Sequence, residues 1–211
     1  MLLIAARSQR ARGGHTALAA HEQDKPGTAT HTLDVAELLV QVRGFNAFSY
    51  TDIARELRIS TAAVHYHFAG KAELGEALIA RYAARFAQAL AGVDTGIAAA
   101  PAKLDSYAGL YLDVLRHRRM CLCGMLAAEY QTLPAAMQGA VIEFFDQNET
   151  WLQHVLEQGK QEGSLQFAGS ARDTARMIVS GLEGAMLVAR PYGDVGRFRS
   201  VARCLLASLS N

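Results

Sequence analysis

Apolar residues first settle into a helical stripe at Leu33, and Val35, Ala36, Leu38, Leu39 and Val42 carry it to Gly44, a natural stop. Ser49 to Asp52 then has the form of a capping box, ahead of the apolar set Ile53, Ala54 and Leu57, so the pattern predicts a second short helix ending near Arg58. Ser60 can cap a third helix that turns Val64 and Phe68 inward. After Ala69 and Gly70 a longer helix begins at Lys71 and keeps its stripe through Leu74, Leu78, Tyr82 and Phe86. A stretch rich in Gly, Ala and Thr, from Gly92 to Ala100, is expected to be a loop, and Pro101 suits a first helical turn. Further helices are predicted at about 101–119, 122–131, 134–162 and 171–190, with a last one from Asp194 to Leu209; Gly163 and Pro191 are expected just past two of the ends. No strand alternation and no fixed-period repeat interrupts this series.

Composition agrees with an all-helical chain and narrows the function. Hydrophobic residues make up 51% of the 211 and charged ones 19%, which supplies a substantial core and argues against disorder. A net charge of +1 excludes a nonspecific nucleic-acid coat, so any contact with DNA must come from local placement. The opening Met-Leu-Leu-Ile-Ala-Ala is too short for a signal peptide, and no run of about 18 uncharged apolar residues could cross a bilayer; the expectation is a cytoplasmic protein with no membrane partner. Three cysteines, an odd number, do not form a disulfide framework. Residues 1–30, with Arg7, Arg10 and Arg12 among glycines and small polar residues, are expected to be a flexible tail, either without a role or a basic arm for a minor groove.

Two short helices joined by a tight turn have the spacing of a helix-turn-helix, whose second helix enters a major groove. With Ile53, Ala54, Leu57, Val64 and Phe68 packed on the first helix, Thr61, Ala62, His65 and Tyr66 face outward. Small residues at 61–63, Ala63 included, permit close approach to base edges, and Thr51 and Ser60 stand at the two helix starts. Gly44-Phe45, Thr51-Asp-Ile-Ala-Arg55, Ser60-Thr-Ala-Ala-Val-His-Tyr-His-Phe68 and Lys71 together resemble the N-terminal signature of the TetR/AcrR family of regulators. The resemblance spans about residues 33–80. It implies an N-terminal three-helix DNA-binding domain (31–76), a C-terminal helical ligand-binding and dimerisation domain (77–211), phosphate contacts by His67 and Lys71, and a homodimer on double-stranded operator DNA. The sequence departs from the family pattern at Arg58, where a turn glycine is usual, and at Thr61, His65 and Ala69-Gly70. A left-handed Arg58 would cost about 1 kcal/mol.

Between residues 31 and 82 five basic residues face six acidic ones, a net of −1. This keeps open a second class, a helical ligand-binding protein without DNA affinity. No signature of a hydrolase, a zinc protease, a P-loop or a dinucleotide fold is present, so catalysis is not expected. Tyr107, Tyr111, Met125, Tyr130, Phe144, Phe145, Trp151 and Met177 are more aromatic and soft material than a small bundle needs, and are the candidate lining of an effector chamber.

Cys121 and Cys123 follow Arg116-His-Arg-Arg119 at a helix junction, where cations and a helix N-terminus would favour thiolate; Cys121 is therefore a candidate effector or electrophile contact. The stretch from Met120 to Glu129 is similar to the corresponding segment of the N-ethylmaleimide-responsive members of the family, which adds a thiol-based sensor to the alternatives beside plain packing of two soft side chains. A zinc site from His117, Cys121 and Cys123 lacks a fourth ligand, and no cofactor or metal is expected. The last two predicted helices carry Ser180, Gly181, Gly184 and Ala185 among Leu182, Met186, Leu187, Val201, Leu205, Leu206 and Leu209, a composition suited to a symmetric four-helix dimer interface or to an intrachain hairpin.

Overall fold

The computed structural model describes residues 27–209, and among them forms nine α-helices and no strand. Most of the tail expected at 1–30 lies outside the described residues. The helices are α1 (Thr28–Arg43), α2 (Tyr50–Leu57), α3 (Thr61–His67), α4 (Lys71–Gly96), α5 (Ala100–Arg116), α6 (Leu122–Ala128), α7 (Ala135–Glu162), α8 (Ala171–Tyr192) and α9 (Val195–Ala207), with a 3-10 turn at Tyr130–Thr132. The first three and the start of α4 build a small head. The remaining helices build a body in which α8 packs between α7 and α9. α4 runs unbroken from one to the other and crosses the boundary expected at residue 76.

Local chemistry accounts for the head. Ser49 N–H and Oγ both donate to Asp52 Oδ2 at 2.8 Å, the capping box read from the sequence, and Ser60 Oγ accepts from Ala63 N–H at 3.2 Å to start α3. Ile53, Ala54, Val64 and Phe68 are buried against Ala36 and Val40 of α1, and Leu74 and Leu78 of α4 close the core. Between α2 and α3, Arg58 sits at φ 55 and ψ 43, a left-handed position for a side chain that disfavours it.

Three boundaries differ from the sequence reading. α1 starts at Thr28, five residues earlier than the apolar stripe, because Thr28 and Thr32 are buried there and count as core despite their hydroxyls. α4 continues to Gly96 where a loop was expected: Gly92 and Gly96 are met by nothing, and the alanine-rich run carries the helix across them. α8 reaches Tyr192 with Pro191 inside its last turn, and Gly193 at φ 59 forms the actual stop. Pro191 is exposed there, so the helix carbonyl that loses its N–H partner can be hydrated.

The strain at Arg58 gives a direct test. Arg58→Gly should raise stability by up to about 1 kcal/mol, measured by urea denaturation, since glycine adopts this geometry without steric penalty; an unchanged or lower midpoint would show the turn to be unstrained.

Candidate functional site

The outer face of α3 presents Thr61, Ala62, His65 and Tyr66, all exposed, with Tyr66 61% accessible. Thr51 and Ser60, at the two helix starts, are exposed beside them. Ala63 is a correction: it is fully buried, pointing with Val64 into the head core, so a small residue is needed there by packing and not by base edges. His67 is half-buried, and its Nε2 is buried without a partner. Tyr50, beneath α3, donates its hydroxyl to the carbonyl of Phe68 at 3.1 Å; burial and the Glu73 carboxylate push its pKa up to about 12, so it stays a neutral donor. No acidic residue lies on α3, and several head carboxylates are engaged elsewhere, Asp34 and Glu37 with Arg81 and Arg85 and Asp52 with Arg55. The net −1 of the head is therefore not concentrated on its recognition face.

Lys71 is placed differently from the phosphate contact that the resemblance implies. Its ammonium donates to the carbonyls of Phe45 and Phe48, each at 2.5 Å, and stands over both rings at 4.7 and 4.1 Å. Burial lowers its pKa, and the Glu129 and Asp52 carboxylates oppose that shift. From the opposite side Glu129, at the end of α6, accepts from Phe45 N–H at 2.6 Å and from Asn46 N–H at 3.3 Å. Gly44, at φ 95, permits this approach: a Cβ there would stand 2.8 Å from Glu129 Oε1. Arg190 of α8 donates to the carbonyl of Val42, and Met120 N–H donates to that of Gln41 at 3.2 Å. The head is thus bonded to the body through backbone groups of Gln41, Val42, Phe45 and Asn46, at the end of α1 and in the loop that follows.

Inside the body Tyr107, Tyr111, Phe144, Phe86 and Tyr82 form one aromatic cluster with ring centroids 5.3 to 6.3 Å apart, and Trp151 stacks on Tyr107 at 5.7 Å. The Tyr107 hydroxyl meets that of Tyr111 at 3.0 Å and donates to Asn148 Oδ1 at 3.1 Å; Trp151 Nε1 donates to Asp94 Oδ2 at 2.8 Å. Two expected lining residues lie elsewhere. Met177 is 45% accessible on the outer face of α8, and Met125 is at the junction with the head, where its Sδ accepts from Arg190. Periodicity placed both on helices but could not say which neighbour each helix would face.

Comparison with known proteins agrees with this architecture. Residues 33–78 match the family model of bacterial regulatory proteins of the tetR family, and residues 100–205 match that of the tetracyclin repressor-like C-terminal domain. The chain belongs to the TetR family of transcriptional regulators. A TetR regulator from Legionella pneumophila is similar at 33% identity and TM-score 0.80, covering 89% of this chain and all of that one. A transcriptional regulator of the TetR family from Agrobacterium tumefaciens is similar at 29% identity and TM-score 0.84, over 92% of this chain and all of that one. The reduced form of E. coli NemR, at 22% identity and TM-score 0.76 over 87% and 98% of the chains, shares the fold. No curated protein sequence matches. Regulators of this family are non-enzymatic DNA-binding transcription factors that act as dimers and bind small-molecule ligands.

In this TetR regulator the thiols are not where a reactive cysteine was expected. Cys121 and Cys123 are buried at the start of α6, and Arg116, His117 and Arg118 stay exposed in the preceding turn. Burial raises both thiol pKa values well above the ordinary cysteine value, and the Glu183 carboxylate raises them further. The lowered thiol pKa expected from the sequence is corrected: desolvation outweighs a helix N-terminus of only seven residues. Tyr82 donates its hydroxyl to Cys121 Sγ at 3.7 Å.

Glu183 itself was missed by the sequence reading. It hangs from α8 toward α6, and burial pushes its pKa up to about 7 while a hydrogen bond from the Cys121 thiol pulls it down. The one signal available beforehand was a lone acid inside the apolar run of α8.

Two outcomes follow for the regulator. Cys121 and Cys123 should react with a thiol reagent in the folded protein on the order of a hundredfold more slowly than in urea; equal rates would show that they are accessible. Folded Glu183 keeps its proton from the ordinary value of 4.5 up to about 7, whereas the unfolded chain loses it, so stability falls as pH rises through that window. Glu183→Gln should flatten the profile of Tm against pH between those values, and an unaltered slope would contradict the burial described.

Proposed function

We propose that this regulator is a repressor that holds its operator as a homodimer and releases it when a small molecule enters the body beside α6. The observation that carries this reading is the double role of α6. Its start, Cys121 to Cys123, packs against the aromatic cluster through Tyr82, and its end, Glu129, holds the loop of the head at Phe45 and Asn46. A ligand that displaces α6 therefore moves the anchor of the head, and only a ligand that binds the two positions unequally can shift their balance. Thr61, Ala62, His65 and Tyr66 are the residues offered to bases, with Thr51, Ser60 and His67 beside them for phosphates; Lys71 supports the loop that aims them.

The homodimer reading is supported by α8 and α9. Met177, Leu187, Val188 and Val201 are all at least 45% accessible, and Gly184 is met by nothing among the described residues, whereas Gly181 is filled by Leu205 of α9. Small residues thus serve the intrachain pair and leave an apolar face beside it. Pairing there can space two copies of α3 about 34 Å apart, one turn of the duplex. Among the described residues no helix is long and apolar enough to cross a membrane, which accords with action in the cytoplasm.

A gel shift on DNA flanking the protein's own coding region tests the proposal. Wild-type protein should bind with an affinity that falls steeply as salt is raised; Tyr66→Ala should weaken binding by roughly tenfold or more, and Lys71→Ala should weaken it together with head stability. No retarded band at low salt with folded, dimeric protein would instead favour a helical ligand-binding protein without DNA affinity.

A further inference from the structure

Glu183 Oε1 is buried and has no hydrogen-bond partner. The groups that share its surroundings are the thiols of Cys121 and Cys123 and the phenols of Tyr82, Tyr107 and Tyr111, all of them neutral acids whose pKa values the carboxylate helps to raise. Among the described residues no Lys, Arg or His acts on it. Arg190, on the same helix, is engaged with Met125 Sδ and the carbonyl of Val42. α6 makes room for the carboxylate with Gly124, where a Cβ would stand 2.2 Å from Glu183 Oε2. A buried carboxylate is ordinarily paired with a cation or a metal, and among the described residues no cation pairs with this one.

The aromatic cluster completes the picture. Tyr82, Phe86, Tyr107, Tyr111 and Phe144 form one cluster of rings, and the phenols of Tyr82, Tyr107 and Tyr111 feel the charge of the carboxylate; aromatic rings and a counter-charge together recognise ammonium groups. On the outer side a groove of about 370 Å³, lined in part by Val114, His117 and Arg119, ends on Tyr82. Tyr82 in turn touches Cys121, the residue that hydrogen-bonds Glu183. The groove therefore reaches within one side chain of the site.

We propose that Glu183 is the anionic anchor of a site for a small organic cation, an amine or quaternary ammonium bearing apolar substituents, enclosed by the rings of Tyr82, Tyr107 and Tyr111. This rests on the body being the effector site, and names the chemistry of the effector. A cation compensates the charge that a neutral donor leaves standing. Because Glu183 titrates near 7, cation binding also expels a proton from it.

Calorimetry on the full chain tests this with four probes of one shape class: benzyltrimethylammonium, benzylamine, benzyl alcohol and benzoate. Both cations should bind at least tenfold more tightly than the alcohol, and benzoate should not bind. The affinity for benzyltrimethylammonium, whose charge is fixed, should climb by up to about tenfold per pH unit below 7 and level off above it. Glu183→Gln should lose at least tenfold in cation affinity and all of its pH dependence while keeping its gel shift and its affinity for benzyl alcohol; the gel shift and circular dichroism report that this variant folds. Absence of binding by both cations, equal affinity for cation and alcohol, or undiminished cation binding by Glu183→Gln would each overturn the proposal. Release of DNA by benzyl alcohol but by neither cation would overturn it while leaving the effector reading in place, and a failed gel shift with wild-type protein would count against the repressor reading alone.

Discussion

The loop between α1 and α2 is gripped by opposite charges at the two ends of one residue. Phe45 gives its N–H to the carboxylate of Glu129 and its carbonyl to the ammonium of Lys71, which also takes the carbonyl of Phe48. Both charges act through a half-buried loop, where charge-assisted hydrogen bonds are stronger than neutral ones. Lys71 begins the helix that joins head to body, and Glu129 ends the helix that borders the aromatic cluster. The orientation of α3 relative to the body therefore depends in part on this short segment, beside the continuous α4 and the bonds of Arg190 and Met120 to the end of α1, and Gly44 is the residue whose geometry lets the segment be approached.

This arrangement reconciles two demands. The recognition face must stay polar, exposed and unengaged, which Thr61, Ala62, His65 and Tyr66 satisfy. The head must also be held against the body. Hydrogen bonds to backbone groups at the end of α1 and in the loop meet that need, together with a hydrophobic core that runs from Ile53, Val64, Phe68 and Leu74 on into the body.

The body holds polar groups that a plain bundle core would avoid. The hydroxyls of Tyr107 and Tyr111 and the amide of Asn148 satisfy one another, but among the described residues the carboxylate of Glu183 has a thiol and no counter-charge. Its unusual titration and the raised thiol pKa values are two faces of one burial. Burial raises the acid and both thiols, and the carboxylate raises the thiols further while the Cys121 thiol draws the acid back down, which makes this region the chemically distinctive part of the body and argues against ready thiol chemistry there.

The amino-acid sequence alone determined the all-helical architecture, the capping of α2 and α3, the strained turn at Arg58 and the outward set on α3, because each depends on interactions within a few residues or on the 3.6-residue period. The family was legible for the same reason, since its signature is a local spacing of caps, turn and apolar positions. Only the tertiary structure decided that Ala63 and the two cysteines are buried, that Met177 faces out, that Lys71 supports a loop, and that Glu183 lies alone among neutral acids. Those facts depend on which helix packs against which, and a helix's apolar stripe records that it has a buried side without recording whose side chains it will meet.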